Sequence, residues 1–395
     1  MIKHNRNRWQ RKFIKSVFDC CHVQKNNFSK VILQNINFVN DKSKYMPPYL
    51  FKYYSPTSDN ILDIKNKKLW LSHPNSFNDP FDCKIGYDKE KFEKNTLLQF
   101  IKTFGCIGEK EKSNGFTLEE KNRVLNSYTE EINSWHSKRE SYFDAERKIL
   151  ENKSNDFRDM VYKYLESKLK DLDIKVDRLK NINIRVACFS LLDKYDEFSK
   201  QISMWSHYAD DHKGFCVEYD LSFLKNDTKL IIEDLDFFNK TNEYLEERNK
   251  LIIKAGLFPV EYKASRINIP VSKLNQIKIN EFGKISYNTN VDELIYKTYI
   301  VKSANWNYEK EWRIIIDEKI CRYFENKIPF PYIKTIYMGC KAEKELIDTM
   351  FEISLEIGAE IRLLRMDGKK FILENLSTTG YKFDRDRKKW NNPYF

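Results

Sequence analysis

Along this chain the hydrophobic pattern switches between a two-residue period, which marks a strand with one buried face, and a 3.6-residue period, which marks an amphipathic helix. Strand patterns fall at residues 50–54 (LFKYY), 68–72 (KLWLS), 182–191 (INIRVACFSL), 215–220 (FCVEYD), 230–232, 260–262, 314–316, 333–338 and 359–364. Helical patterns lie between them, at 60–66, 202–208, 239–255, 291–299 and 342–357. Strands and helices mixed without a regular alternation predict an α+β fold, a mixed or split β-sheet core with flanking helices. No glycine or proline interrupts the chain between Gly115 and Gly214, and residues 118–179 are charged and helix-forming. These features predict a long helical insertion at about residues 90–181, interrupting a main domain at 49–365. Residues 1–48 read as a basic amphipathic segment with a linker, and residues 366–395 as a C-terminal extension.

The densest run of functional side chains is ISMWSHYADDHKGFCVEYD, residues 202–220. Met204, Trp205 and Tyr208 fit one or two helical turns, and Gly214 reads as the left-handed stop after the turn at 210–213. Phe215, Val217 and Tyr219 then alternate with Cys216, Glu218 and Asp220 as a half-buried strand. A helix–turn–strand corner of this kind gathers Trp205, His207, Tyr208, His212 and Glu218, the rings and polar groups of a small-molecule pocket. Rings at helical spacing equally suit core packing. Upstream, residues 73–82 (HPNSFNDPFD) hold two prolines, two asparagines and two aspartates, which predicts a loop fixed by side-chain bonds to its own backbone and suited to carrying binding residues.

Composition narrows the class of molecule. With 41% hydrophobic and 14% aromatic residues the chain has ample material for a core, which excludes a disordered coil. No apolar run is long enough to span a bilayer and no secretory leader is evident, so a cytoplasmic protein is expected. The eight cysteines are scattered, which argues against a disulfide framework or a structural zinc site. The net charge of +11 suggests a polyanion partner until it is located. Ten basic residues against two acidic ones lie before Phe51, so +8 of the charge belongs to the N-terminal segment and the body is nearly balanced. Trp9, Phe13, Ile14, Val17 and Phe18 recur there at helical spacing, a basic amphipathic helix that can dock on protein, on an anionic membrane or on a phosphate backbone.

Chemistry concentrates in WNYEKEWRIII, residues 306–316. In an extended backbone Glu309, Glu311 and Arg313 share one face, and an arginine beside two carboxylates holds them ionised and oriented. An ordinary Glu–Arg bridge within a sheet fits the same pattern. His207, Asp210, Asp211 and His212 offer a looser set of metal-ligand types, the basis of a metal-dependent nuclease or hydrolase reading, but no second cluster completes it and no metal is expected. A phosphate-cradling glycine loop and a serine-nucleophile elbow are absent from the sequence.

The stretch LFKYYSPTSDNILDIKNKKLWLSHPNSFNDPFDC, the VACFSLL strand, MWSHYADDHKGFCVEYD, and WNYEKEWRIII followed by IKTIYMGC together resemble the bacterial family known as domain of unknown function 2971, over about Tyr49 to Cys340. A further, fold-level resemblance is to the ADP-ribosyltransferases, which carry a polar residue on an early strand, aromatic and serine residues in mid-sheet, and a late glutamate, often as Glu-x-Glu. Here Lys52 or Tyr54, Ser72 or Ser190, and Glu309-x-Glu311 stand in those places. The resemblance implies a nucleotide-using enzyme with NAD as substrate, Glu311 as catalytic carboxylate and Glu309 orienting the acceptor. Lys52, Tyr54, Ser72, Trp205, His207, Tyr208 and Arg313 would form the nucleotide pocket. A toxin or phage-defence effector is the context such an enzyme would suit. The alternative is a non-enzymatic module that binds nucleic acid or protein through the basic N-terminal segment and the helical insertion.

Overall fold

The computed structural model of the chain describes residues 43–89, 91–93, 95–96, 155–180, 184–192, 201–226, 242–279, 285–286, 294–295, 297–317, 321, 325–376, 382–384 and 389–391. In chain order the strands are β1 (Tyr49–Tyr54), β2 (Lys68–Trp70), β3 (Ile184–Ser190), β4 (Phe215–Asp220), β5 (Leu257–Pro259), β6 (Glu261–Lys263), β7 (Lys278–Ile279), β8 (Ile285–Ser286), β9 (Val301–Ser303), β10 (Glu311–Asp317), β11 (Lys327–Pro329), β12 (Ile333–Met338), β13 (Glu360–Met366), β14 (Leu373–Leu376), β15 (Lys382–Asp384) and β16 (Lys389–Asn391). The helices are α1 (Ser58–Lys65), α2 (Asn155–Lys180), α3 (Ile202–Tyr208), α4 (Asn242–Gly256), α5 (Val271–Leu274) and α6 (Lys344–Ile357). The basic segment before residue 43, the strand expected at 230–232, and the part of the helical insertion between residues 97 and 154 lie outside the described residues.

The chain divides into two units. The larger comprises residues 1–84, 183–266 and 296–395, and the smaller 85–182 and 267–295. Within the smaller unit the 26-residue helix α2 occupies Asn155–Lys180, α5 and the β7–β8 pair come from the second segment, and Tyr87 donates to Asp173 at 2.7 Å.

The larger unit is built on an eight-stranded sheet ordered β14-β13-β12-β4-β1-β3-β10-β5. The β12–β13 pair is parallel and the other pairs antiparallel, so the fold is α+β on a mixed sheet. The sheet also parts along one seam. β1 meets β4 over six residues and β3 meets β10 over seven, but β1 and β3 share the single registered pair Phe51–Ser190. Lys52 Nζ reaches across the seam to the Cys188 carbonyl at 3.2 Å and supplies a donor where the ladder has lapsed.

Both faces of the central strands are covered. On one, α3 lays Trp205, with no exposed surface, edge-on against Tyr53 at 5.2 Å. On the other, Phe189, Tyr219 and Phe330 meet edge to face or tilted, and Tyr54 stacks on Phe215 with its hydroxyl 2.6 Å from that of Tyr219. Burial on two faces corrects the half-buried reading of 215–220: β4 is buried from Phe215 to Tyr219, because it lies inside the sheet. Helix α1 is capped by Thr57, whose hydroxyl accepts from the Asn60 amide, and α6 buries Ile347, Met350, Phe351 and Ser354 along one stripe before ending at left-handed Gly358.

The corner between α3 and β4 also differs from its expected form. Its left-handed residues are Asp210, Asp211 and His212, with φ of 48°, 50° and 72°, and Gly214 is not among the positive-φ residues. Gly214 is required for closeness: a Cβ there would lie 2.1 Å from the Tyr54 carbonyl oxygen.

Candidate functional site

The segment leading into β10 is not extended as expected. Ser303 caps a 3₁₀ turn over Ala304–Glu309, Lys310 is left-handed with φ 47°, and only then does β10 begin at Glu311. The turn places Glu309 and Glu311 on different local elements, yet both carboxylates converge on Lys302 of β9. Lys302 Nζ donates to Glu309 Oε2 at 2.6 Å and to Glu311 Oε2 at 3.1 Å, and lies 3.7 Å from Asp82 Oδ2. A lysine beneath the turn replaces the strand face as the device that brings the pair together.

Arg313 fixes the inner side of the cluster. It has no exposed surface and every guanidinium nitrogen is engaged. Nε and Nη2 grip Glu311 at 2.6 and 3.0 Å, while Nη1 and Nη2 grip Asp82 at 2.9 and 2.6 Å. Nη1 also donates to the Tyr299 carbonyl at 2.8 Å, and the guanidinium lies over the Phe77 ring. Two bidentate carboxylates on one guanidinium form a rigid anchor, and Asp82 ties the 73–82 loop to it. Asp79 shapes that loop by accepting from the Phe81 amide at 2.8 Å, which realises the expected side-chain-ordered loop.

The formal charges do not cancel. Asp82, Glu309 and Glu311 face Lys302 and Arg313, which leaves one negative charge in excess. Burial pushes the Glu311 carboxyl up, but Arg313 and Lys302 together outweigh it and hold the group down at about 2. At Glu309 burial dominates, repulsion from Glu311 adds to it, and the carboxyl is raised despite Lys302 and Tyr208. Of the Glu309–Glu311 pair, Glu309 is therefore the carboxyl whose protonation burial favours. Tyr208, at the end of α3, donates to Glu309 Oε1 at 2.6 Å, and burial with the adjacent carboxylate raises its phenol. The Tyr262 hydroxyl accepts from the Glu311 amide at 2.8 Å.

Above Glu309 the rings form a continuous patch. His207 is exposed and Tyr208, Trp306 and Tyr308 are half-buried. His207 meets Tyr208 and Trp306 at 6.2 and 6.1 Å, Trp306 meets Tyr308 at 6.0 Å, and Lys302 Nζ lies 5.0 Å from the Trp306 ring centre. A buried carboxylate of raised proton affinity beneath aromatic rings suits proton exchange with, or stabilisation of positive charge on, a planar ligand.

The other expected site residues are elsewhere. Register places Ser190 and Glu311 on the same face as Phe51, which puts Lys52 and Tyr54 on the opposite one. Burial holds the Lys52 amine below its usual range. Ser72 forms a backbone bridge with Val186, and Trp205 is core. His212 is buried and stacked on Trp205, whereas His207, Asp210 and Asp211 are exposed, and among the described residues no group of three His, Cys, Asp or Glu side chains is arranged to hold a metal ion. Asp82 and Lys302 are the members that sequence reasoning missed. Asp82 had a signal in its ordered loop, but a lone lysine on a short strand had none.

The segment from α3 into β10 contains most of this cluster. Residues 204–314 match the family model DUF2971, described as a protein of unknown function. The match includes Tyr208, Lys302, Glu309, Glu311 and Arg313 and bears out the family resemblance over that span. Asp82 lies outside it. No curated protein and no solved structure matches the chain. Among the described residues, no helix is long and apolar enough to cross a membrane.

Proposed function

We propose that the chain is a nucleotide-using enzyme that cleaves an N-glycosidic bond, with NAD as substrate and Glu309 as the carboxylate that meets the ribose. The observation that carries this reading is the buried Glu309 carboxylate, bonded to Lys302 and to Tyr208 at 2.6 Å each and flanked by the linked rings of His207, Tyr208, Trp306 and Tyr308. The ring patch receives the nicotinamide. As the C–N bond breaks, its electron pair passes to the pyridinium nitrogen and neutral nicotinamide leaves. The carboxylate stabilises the positive charge that develops at the ribose carbon, then takes the proton from the water or acceptor hydroxyl that closes the new bond. Glu311 is a positioning residue here: Arg313 and Lys302 use both its oxygens, and it holds Lys302 against Glu309. Tyr208 now occupies Glu309 Oε1, so a substrate hydroxyl takes its place.

The test is nicotinamide release from NAD by the full chain, with cell lysate added to supply an acceptor. Wild type releases nicotinamide, Glu309→Gln lowers kcat at least 100-fold with KM little changed, and Tyr208→Phe mainly alters KM. No release and no NAD binding by calorimetry would remove the reading. Full activity in Glu309→Gln would remove the assignment of the carboxylate.

A further inference from the structure

The loop that sends Asp82 inward sends its neighbour outward. Phe81 is 62% exposed, yet it is not loose: the buried Asp79 carboxylate accepts from its amide at 2.8 Å. Arg266 lies with its guanidinium carbon 5.6 Å from the Phe81 ring centre and donates from Nη2 to the Lys84 carbonyl at 3.1 Å. Lys84 in turn donates to Asn75 Oδ1 at 3.0 Å. Neither Arg266 nor Lys84 has a carboxylate within ion-pair distance among the described residues.

We propose that Phe81, Arg266 and Lys84 form a subsite for a nucleobase and its adjoining phosphate. An exposed aromatic ring on an anchored backbone, with an exposed guanidinium over it and a lysine three residues on in the same loop, lacks two things, a planar ring to stack on and an anion to neutralise. A nucleotide brings both at the right separation, since base and phosphate are joined through one sugar. Asp82 follows Phe81 directly and reaches Lys302 and Arg313, so one rigid loop carries the base platform and a wall of the carboxylate cluster. The inference rests on the reading of Glu309 only for which nucleotide is used. The Phe81 platform itself is independent of the bond that is cleaved.

The probes are AMP, adenosine, inorganic phosphate and an adenine oligoribonucleotide, titrated into the full chain by calorimetry. AMP binds wild type and binds Phe81→Ala about tenfold more weakly or worse, the usual loss when a stacking ring is removed. Phe81→Trp retains the affinity. Arg266→Ala weakens AMP but leaves adenosine unchanged, and flattens the salt dependence of AMP binding. Because Phe81 and Arg266 are on the surface, unchanged thermal melting of both variants confirms that folding is intact. AMP binding that ignores both substitutions would overturn the subsite, and so would failure to bind AMP. Binding of the oligonucleotide alone would overturn the assignment to a mononucleotide. Nicotinamide release by the wild-type chain, measured beside AMP binding, separates the two ideas. If nicotinamide release is absent while AMP binding still depends on Phe81, the subsite stands and the reaction does not. Release with Phe81-independent AMP binding gives the reverse.

Discussion

Glu309 and Glu311 are separated by one residue and share Lys302, yet their surroundings drive them apart as acids. Glu311 is held at about 2 against a usual 4.5, so its charge stabilises the fold above the unfolded value, and that contribution is lost as pH falls toward 2. Glu309 is raised, and the sign reverses: its contribution is present below the unfolded value and is lost as pH rises through the folded one. The two isosteric substitutions therefore act in opposite ways. At pH 7, Glu311→Gln leaves part of a buried guanidinium unpaired and costs about 3–5 kcal/mol, a gap that narrows near pH 3. Glu309→Gln removes the excess charge, and the variant is as stable as wild type at pH 5 and equal or better at pH 8. Urea midpoints across that range measure both. An equal loss from the two variants would mean that Glu309 is as structural as its neighbour and carries no strain on behalf of a ligand. The paired acids were legible in the sequence as Glu-x-Glu with a following arginine. Which of them is free to act was not, because that depends on Lys302 and Asp82, whose approach is a matter of tertiary packing.

At the scale of elements, local pattern carried far. Helix α3, strand β4, helix α6 and the ordered 73–82 loop all stand where periodicity and capping residues put them. Where local reading failed, a backbone group from a distant strand had entered. Gly214 has the spacing of a helix stop, but its role is to let the Tyr54 carbonyl approach, and Gly339 admits the His212 carbonyl in the same manner, a Cβ in either place meeting the oxygen at 2.1 Å. A carbonyl within a strand ladder cannot step aside as a side chain does. Gly214→Ala accordingly forces β1 and β4 apart and costs about 3 kcal/mol or more, at the upper end for overpacking. Gly358, left-handed with φ 75° and open space around it, sets the scale for conformational strain alone, and Gly358→Ala costs about 1 kcal/mol. Denaturant midpoints of the two variants separate closeness from conformation. Equal losses would mean that β1 and β4 yield more easily than their six-residue ladder implies.

The larger unit depends on pairings between segments far apart in the chain. β3 and β10 are neighbours separated by more than a hundred residues, β1 is inserted between β3 and β4, and the cluster draws Asp82, Tyr208 and the Lys302–Glu309 stretch from three segments. The longer strands were readable as local patterns, whereas the short β5, β9 and β14 were not; strand order is set by which faces bury together, which no window of residues contains. Charge at this scale, however, is plain from sequence, because most of the excess lies before Phe51, ahead of or at the start of β1. The proposed nucleotide chemistry and a polyanion-binding role for the basic segment are therefore expected to be separable. A chain lacking residues 1–42 retains every described strand, so it keeps its melting temperature within a few degrees, along with its Phe81-dependent AMP binding and Glu309-dependent nicotinamide release. Any affinity of the full chain for duplex DNA is expected to come from the basic segment instead. It falls steeply with salt in the full chain, since each neutralised phosphate releases counterions, and the truncated chain loses that slope. Filter binding at two salt concentrations and the nicotinamide assay on the same preparation decide the matter together. Loss of nicotinamide release on truncation would make the first 42 residues part of the site, and retention of steep, salt-dependent DNA binding would place the polyanion surface on the sheet-bearing unit, with the Arg266–Lys84 patch as the first place to substitute.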